Sequence, residues 1–535
     1  MNQHEQRVVR FLSRPASYPH PVGAIQRRET HVSHVFLAGG FAYKLKKPVK
    51  FPFLDASTLT LRKRFCLLEL SLNRRLAPTI YLGIVPITEG LRGLQFGGKG
   101  RVVEWVVKMR RLPEERMLDQ LVAQHQVSRR DMQDIADQLI RFFRHAARNS
   151  SIDRYGKPAQ VCALVLGNLQ ECQQFVGSVF QESDRQFLAS AYRQYLTLQQ
   201  PMLEQRVRER RIIDGHGDLR CENICLSRPV NIFDCVEFQP AFRCGDSAND
   251  FSFLLMDLEF RGRQDLADVL AKRYEVKTDD PTFEQVLPFY KCHRSLVRGK
   301  VRAFAWLQHP NTPEGRRARS LSRAHFQLAV RYAKAFAPPR LIVVGGAIGS
   351  GKSTLAKELA EALGAVWLRS DEIRLTEFAP AYHPVKDGAG RHERKRQEGF
   401  AEGLYAPRVS QRVYEQLIQR AEQAIRQGRS VVCDGTFSKM AGREALRSAA
   451  KRHHASFYFF ECTVPRAVAL RRIAKRAAAR TDISEARPEH YDQLTAGFEP
   501  VRGWPRSMWQ RISDNRPPAQ TLHAALGILR RAWAA

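Results

Sequence analysis

The segment from residue 346 to residue 353 has residue types and a spacing that suit phosphate binding. Its sequence, GAIGSGKS, matches the pattern G-x-x-x-x-G-K-[ST] in full. An apolar strand precedes it and an amphipathic helix at 353–363 follows, so backbone N–H groups would wrap phosphates at a helix N-terminus. Lys352 would reach the β- and γ-phosphates, and Ser353 would ligate magnesium. The predicted nucleotide contacts are Gly346, Gly349, Ser350, Gly351, Lys352, Ser353 and Thr354.

Three later segments carry further residues that suit phosphoryl transfer. Asp371 and Arg374 lie in the segment LRSDEIR, and Asp434 ends the apolar strand SVVCD. Arg472 and Arg476 lie in the basic segment RRIAKR, and polar residues follow at Arg480, Asp482 and Ser484. With these segments, residues 340–515 resemble small-molecule and polynucleotide P-loop kinases, the group that includes zeta-toxin-like kinases.

The resemblance to P-loop kinases implies a role for each of these residues. Asp371 would take the proton from the acceptor hydroxyl, and Arg374 would steady the substrate. Asp434 would lie near the magnesium ion. Arg472 and Arg476 would belong to a lid and neutralise charge on the transferred phosphoryl group. A helix N-cap is the alternative for Asp371, and a solvated basic helix face is the alternative for the two arginines.

A second set of candidate residues lies in the first half of the chain. The loop HGDLRCEN, residues 216–223, resembles the catalytic loop of protein-kinase-like and aminoglycoside-phosphotransferase-like enzymes. That resemblance implies that Asp218 orients and deprotonates the acceptor hydroxyl and that Asn223 holds magnesium. Asp234, in the following strand IFDCVEF, would chelate magnesium as well. Arg220 departs from the aminoglycoside-phosphotransferase pattern, where a histidine is usual, and a cation there would touch the γ-phosphate.

Lysines upstream of this loop are candidates for contacting the α- and β-phosphates. Lys44 lies in the second strand of a predicted hairpin, and the resemblance implies that Glu69 in the next helix is its ion-pair partner. Alternation along the strand places Lys44 and Lys46 on one face, so the choice between them stays open, with Lys44 preferred. The resemblance to aminoglycoside phosphotransferases also implies that Asp246 and Asp250 brace this loop as structural acids.

The order of predicted elements indicates two modules. A hairpin, a helix at 59–76 and strands at 80–87 and 101–109 form a small β-rich lobe, and mainly helical sequence follows from residue 114. Two prolines at 338 and 339 then separate a long helical stretch from the apolar strand of the phosphate loop. Strands alternate with helices beyond that point, which is typical of a parallel α/β sheet.

The predicted fold is therefore multidomain: an N-terminal protein-kinase-like α+β bilobal domain and a C-terminal α/β P-loop NTPase with a parallel sheet. We predict an aminoglycoside-phosphotransferase-like domain at 1–337, with a small lobe at about 20–110 and a large lobe at about 111–337. The P-loop kinase domain would occupy 338–535. The whole chain resembles fused bacterial proteins that join these two domains.

Composition limits the partners of the chain. The 535 residues carry 86 Lys and Arg against 54 Asp and Glu, and the formal net charge is +32. A generally arginine-rich composition, together with sites that hold ATP phosphates, is the preferred explanation of this charge, and an anionic substrate is the alternative. A polycationic aminoglycoside would need an acidic pocket. Nucleic acid is an alternative partner. No apolar run reaches the roughly 18–20 residues that a membrane helix needs, so we expect a cytoplasmic protein without a membrane partner. Oligomeric state cannot be read from the sequence.

The function predicted from these features is that of an ATP-dependent phosphotransferase that uses Mg2+. Each of its two kinase-type domains would transfer the γ-phosphate of ATP to a hydroxyl group, with a small molecule as the expected acceptor. One alternative has one domain catalytic and the other acting as an ATP sensor. Another is a nucleic-acid end kinase or RNA-binding protein.

Overall fold

The computed structural model describes residues 2–51, 54–91, 93–378, 404, 406–479 and 488–534. Its packing divides the chain into two compact units. The first contains Met1–Val161 and Met202–Arg298, and the second contains Cys162–Pro201 and Gly299–Ala535. Helices from 162–201 and 299–336 thus pack in the unit that holds the phosphate loop. Packing does not test which segments fold alone, so the domain boundary at residue 337 stays a prediction.

The strands of the first unit lie before residue 111 and around the loop at 216–223. They are β1 (Ile25–Glu29), β2 (Ser33–Ala38), β3 (Phe41–Lys46), β4 (Lys50–Phe51), β5 (Leu54–Asp55), β6 (Tyr81–Gly90), β7 (Gly93–Phe96), β8 (Arg101–Arg110), β9 (Ile212–Asp214), β10 (Ile224–Cys225), β11 (Asn231–Ile232) and β12 (Cys244–Asp246). Six of them form an antiparallel sheet in the order β1-β2-β3-β8-β6-β7. The turn between β2 and β3 passes through Gly39, whose φ of +58° suits glycine. The predicted hairpin is confirmed.

Apart from α1 and α2, the helices up to residue 308 lie beyond residue 114, where mainly helical sequence was predicted. They are α1 (Gln3–Leu12), α2 (Leu59–Asn73), α3 (Leu118–Ala123), α4 (Arg129–His145), α5 (Ser150–Asp153), α6 (Pro158–Glu171), α7 (Glu182–Leu198), α8 (Gln200–Arg208), α9 (Pro240–Arg243), α10 (Ser247–Phe260), α11 (Gln264–Lys277) and α12 (Phe283–Gln308). Local caps fix several starts: Thr58 caps α2, and Asp246 caps α10 by accepting from the Ala248 N–H. The cap on α10 matters for the site because this helix carries Asp250.

The second unit contains an α/β sheet. Its remaining elements are α13 (Pro313–Phe336), β13 (Arg340–Gly346), α14 (Lys352–Leu363), β14 (Val366–Arg369), α15 (Ser370–Ile373), α16 (Pro407–Arg426), β15 (Val431–Asp434), α17 (Met440–Arg452), β16 (Ser456–Thr463), α18 (Arg466–Ala479), α19 (Tyr491–Ala496), β17 (Trp509–Ser513) and α20 (Pro518–Ala534). All five strands are parallel, in the order β14-β15-β13-β16-β17. The predicted parallel α/β fold is confirmed.

Burial of the central strand explains its apolar sequence. Every residue of β13 is buried, as expected for a parallel sheet covered on both faces. Ile342 and Val344 enter one core with residues of α14 and α20, while Leu341 and Val343 enter the opposite core with residues of α16 and α17. The carboxyl ends of the strands meet at one edge, where the polar candidate residues follow β13, β14 and β15.

Helix α7 belongs to the packing of this second unit although it lies far away in the sequence. Leu198 joins the core that contains Ile342 and Leu359. The Thr197 hydroxyl donates to the Ala362 carbonyl at 2.6 Å near the end of α14. Among the described residues, no helix is both long enough and apolar enough to span a membrane.

Candidate active sites

In the first unit, Lys44 lies between two of the predicted site residues. Its Nζ is 2.7 Å from Glu69 Oε1 and 2.6 Å from Asp234 Oδ1. Lys46 also contacts Glu69, through Oε2, and its second partner is Glu237. Both lysines therefore lie on one face of β3, as the alternation predicted. Of the two, Lys44 is the one that contacts the predicted metal ligand.

Ionisation of Glu69 is maintained by these lysines. The side chain of Glu69 is fully buried, which by itself would raise its pKa. The opposing charges of Lys44 and Lys46 outweigh burial and lower the pKa of Glu69 to about 2. Glu69 is thus a carboxylate at neutral pH, and its charge holds both ammonium groups in place.

Asp234 lies two residues after the end of β11 and has a positive φ of +62°, which is uncommon for a residue other than glycine. Its N–H donates to the Tyr81 hydroxyl at 3.3 Å, and the next N–H, of Cys235, donates to Asn73 Oδ1 at 2.9 Å. The side chain of Asp234 remains 45% exposed. The backbone at Asp234 and Cys235 is therefore held by side chains from β6 and α2, while the Asp234 carboxylate can reach a ligand.

Asp218 is bound by two of its neighbours in the loop. Arg220 donates to both of its carboxylate oxygens, at 2.7 and 2.8 Å, and the Asn223 amide nitrogen donates to Oδ2 at 3.0 Å. Burial would raise the pKa of Asp218, but Arg220 and the more distant Arg298 hold it below its ordinary value. Arg220 also pairs with Glu222. In this state the predicted base is ionised and its oxygens are engaged by a guanidinium group.

A backbone hydrogen bond joins the two segments that carry the metal ligands predicted for the first unit, Asn223 and Asp234. The Phe233 N–H donates to the Asn223 carbonyl at 3.0 Å, which brings Asn223 beside the residue that precedes Asp234. Because the Asn223 side chain donates through its nitrogen to Asp218, its Oδ1 is left as a candidate ligand. Amide and carboxylate oxygens are donors that Mg2+ accepts. These residues therefore fit a magnesium ion.

Asp250 positions the loop that carries Asp218. Its two carboxylate oxygens accept the backbone N–H groups of His216 at 2.6 Å and Gly217 at 2.8 Å. Arg294 donates to the Gly217 carbonyl at 3.1 Å from the other side. The start of α10 is supported by the buried guanidinium group of Arg206, which binds both Asp246 and Asp280. The predicted bracing role of Asp246 and Asp250 agrees with these contacts.

In the second unit, the phosphate loop joins β13 to α14. Ser353 Oγ donates to Asp434 Oδ1 at 3.1 Å, and Lys352 Nζ donates to the Ala347 carbonyl at 3.4 Å. Gly351 has a φ of +86°, and a Cβ atom there would lie 1.6 Å from Asp514 Oδ2. Only glycine fits this position. The other predicted nucleotide contacts, Gly346, Gly349, Ser350 and Thr354, lie in the same loop or at the start of α14.

Asp434 is the acidic residue that accepts a hydrogen bond from the loop serine, Ser353. Burial raises its pKa, while Lys352, Ser353 and Arg369 act in the opposite direction. A hydroxyl and a carboxylate 3.1 Å apart at the carboxyl edge of a parallel sheet are oxygen donors that fit Mg2+. Asp371 is close enough to influence the pKa of Asp434. The structure thus gathers the predicted base and the predicted metal-site acid at one edge.

Arg374 is buried and directed into the protein. Its Nη1 donates to the Leu404 carbonyl at 2.6 Å and to Ser410 Oγ at 3.2 Å. These contacts attach the start of α16 to the helix that carries Asp371. A role in steadying substrate stays a prediction for Arg374.

The two predicted lid arginines lie on α18. Arg472 binds the Asp514 side chain at 2.5 Å and the Asp514 carbonyl at 2.8 Å. Arg476 Nε donates to the Arg472 carbonyl at 3.4 Å. The later part of the predicted lid, with Arg480, Asp482 and Ser484, lies outside the described residues. Arg472 is thus placed beside the phosphate loop, because Asp514 also packs against Gly351.

Three residues at these sites were not singled out from the sequence: Asp514, Glu237 and Arg369. Asp514 follows β17 at the same sheet edge as the phosphate loop, so its position after a strand was an available signal. Glu237 lies three residues after Asp234 and is buried, and Arg369 lies 3.7 Å from Asp434. No local pattern indicated their partners.

Comparison with known proteins extends the description of each part of the chain. Residues 341–501 match the family model described as an AAA domain. The match, the loop sequence and the parallel sheet agree on a nucleotide-binding P-loop domain.

Two solved structures show a limited likeness. A choline/ethanolamine kinase family protein from Mesorhizobium loti aligns with 62% of this chain and 99% of its own, at 12% identity and a TM-score of 0.37. A gluconokinase from Sinorhizobium meliloti aligns with 37% of this chain and 95% of its own, at 18% identity and a TM-score of 0.26. At these TM-scores, neither likeness carries an argument about function.

A likeness over most of the chain exists to a mycobacterial protein. The uncharacterised protein Rv2004c of Mycobacterium tuberculosis (strain H37Rv) is 32% identical over 460 residues, which cover 86% of this chain and 87% of that protein. Both units are included in an alignment of this length. The chain therefore belongs to the same protein family as Rv2004c.

Proposed function

We propose that the chain is an ATP-dependent phosphotransferase with two kinase-type sites, each of which phosphorylates a hydroxyl group. The observation that carries the proposal is the bridge that Lys44 makes between Glu69 and Asp234, residues that lie far from it in the sequence. A lysine for phosphates, oxygen ligands for a metal and a loop carboxylate occur together in the first unit. The phosphate loop supplies the equivalent groups in the second.

In the first unit, each residue has a defined task. Lys44, held by Glu69, contacts the α- and β-phosphates, and Asn223 and Asp234 hold Mg2+. Bound MgATP supplies the transferable phosphoryl group and the metal charge that offsets it. Asp218 takes the proton of the acceptor hydroxyl. Because its pKa is held low by Arg220, it becomes an effective base only when the guanidinium moves from its oxygens.

In the second unit, the backbone of the phosphate loop and Lys352 bind the phosphates. Ser353 and Asp434 hold the metal ion, and Asp371 takes the acceptor proton. Arg472, fixed beside Gly351 by Asp514, offsets negative charge on the phosphoryl group. The acceptor of each site is a small hydroxyl compound, for which the basic composition favours an anion.

A second candidate function assigns catalysis to the second unit and ATP sensing to the first. The observation that favours it is the bidentate pairing of Arg220 with Asp218, which occupies the predicted base. In this scheme, the first unit binds MgATP without transferring its phosphoryl group.

One experiment separates these functions. The purified chain is incubated with γ-labelled ATP, Mg2+ and a bacterial extract, which is then divided into small-molecule, RNA and protein fractions. Asp218→Ala and Lys352→Ala run beside it, with Asp265→Ala and Lys357→Ala as exposed controls. The proposal expects two labelled products, each lost in one variant. A single product that only Lys352→Ala removes would favour the sensor, and label unaffected by either variant would refute both functions.

A further inference from the structure

Lys46 forms two ion pairs next to those of Lys44. Lys46, whose side chain is 5% exposed, contacts the remaining oxygen of Glu69 and one oxygen of Glu237. Each oxygen of the buried Glu69 therefore has its own lysine. The two lysines, two residues apart on β3, reach two acids three residues apart on the segment after β11.

The segment that these lysines contact, residues 234–237, starts with an uncommon backbone conformation. Asp234 has a positive φ, a conformation that is uncommon for residues other than glycine and that contacts with the surroundings stabilise. The N–H groups of Asp234 and Cys235 donate to the Tyr81 hydroxyl and to Asn73 Oδ1, and the Val236 N–H donates to the His216 carbonyl at 3.0 Å. The pair of Lys46 and Glu237 adds a charged attachment at the end of the segment.

Nucleotide binding requires the ion pair between Lys44 and Asp234 to open, but not the one between Lys46 and Glu237. Asp234 must release Lys44 to ligate the metal, and Lys44 must turn toward the phosphates. Lys46 has no such task in this scheme, because its partners Glu69 and Glu237 are both buried and neither is a predicted metal ligand. Once the ion pair between Lys44 and Asp234 has opened, Lys46 still neutralises Glu69. It also keeps the segment after β11 attached to β3 through Glu237.

We infer that Lys46 and Glu237 are positioning residues that hold Asp234 where it can ligate Mg2+, and that they set the Mg2+ dependence of nucleotide binding at the first site. This inference rests on the proposed function of that site. Neither residue touches the nucleotide in this scheme.

The test measures binding of a fluorescent ATP analogue to the full-length chain while Mg2+ is varied. All proteins carry Lys352→Ala, so that the first site reports alone. The test variants are Lys46→Met, Glu237→Gln, the double variant and the conservative Lys46→Arg. Asp234→Asn is the positive reference, and Lys47→Met is the matched control, because Lys47 contacts Glu29 and the Thr30 carbonyl instead.

We expect Lys46→Met and the double variant to raise the half-saturating Mg2+ concentration at least tenfold, and Lys46→Arg to recover part of the shift. Binding in excess EDTA should change less than threefold. If a single variant does not fold, the double variant of Lys46→Met and Glu237→Gln gives the test. It removes the charges of both Lys46 and Glu237 and leaves Glu69 paired with Lys44.

A folded double variant with the Mg2+ midpoint of its parent would overturn the inference while leaving the proposed function intact. If the parent shows no Mg2+-dependent binding, or Asp234→Asn does not change it, the proposed function of the first site fails and the inference fails with it.

Discussion

Replacement of Asp250 by asparagine tests how the catalytic loop of the first unit is held. The carboxylate accepts two consecutive backbone N–H groups, from His216 at 2.6 Å and Gly217 at 2.8 Å, and is buried. Asparagine has nearly the same shape but one acceptor oxygen. One of the two N–H groups must then face an NH2 group, which cannot accept.

The size of the effect follows from those two bonds. A buried N–H group without a partner costs about 1–3 kcal/mol, and the remaining bond loses about 1 kcal/mol when its acceptor is no longer charged. The local cost is therefore about 2–4 kcal/mol. Since about 1.4 kcal/mol corresponds to a factor of ten, opening of the loop should become about 30- to 1,000-fold more frequent.

Hydrogen–deuterium exchange of peptides that cover 212–220 measures this opening directly. Faster exchange should be strongest at His216 and Gly217, and label transfer that depends on Asp218 should fall as well. Asp265→Asn is the control, because Asp265 is exposed and pairs only with Arg263 among the contacts described. Unchanged exchange at 212–220 in a folded Asp250→Asn protein would refute the bracing role.

Three further predictions concern both sites. Gly351→Ala should reduce nucleotide binding by the second unit at least about 100-fold in equilibrium titrations, since its Cβ would lie 1.6 Å from Asp514, with binding by the first unit retained. Asp218→Asn should slow label transfer by the first unit about 10²–10⁴-fold, the usual contribution of a general base, while ATP affinity measured by titration changes less than threefold. The contribution of ionised Glu69 to the free energy of unfolding should be present above its unfolded pKa of about 4.3 and be lost as pH falls through about 2. Urea unfolding at several pH values should show the free energy of unfolding falling over this range, and Glu69→Gln should lack that fall.

The elements that position the phosphate loop could be predicted because their signals are local. The apolar run and the glycine pattern predicted a strand, a loop and a helix, and the structure has β13 at Arg340–Gly346 and α14 at Lys352–Leu363. The predicted hairpin near residue 40 is confirmed for the same reason. Turn residues and prolines act within a few residues of where they stand.

Contacts between distant residues could be predicted only where a resemblance supplied the partner. Lys44 and Glu69 were paired in this way, and the structure brings them to 2.7 Å. Nothing near Lys46 in the sequence indicated Glu237, and nothing near Arg472 indicated Asp514. Each partner comes from another element, so it is fixed by the tertiary packing alone. The roles of these residues in ATP binding stay predictions.

The grouping of helices could not be predicted from amphipathicity either. An apolar stripe on α7 or α13 shows that one face is buried but does not say against which element. Leu198 packs with Ile342 in the core of the P-loop sheet, across a long stretch of intervening sequence. A domain boundary predicted from the prolines at 338 and 339 carries no information about such packing between distant segments.

The position of α7 has a consequence for the order in which the chain is made. Translation proceeds at about 5–20 residues per second, so the roughly 140 residues between Leu198 and β13 take about 7–30 s to synthesise. Throughout that time the face of α7 that will meet the sheet has no partner. A nascent chain that stalls before residue 340 would display this surface to chaperones or to other chains. Conversely, a piece that starts at residue 338 would leave α14 without the helix that covers its end.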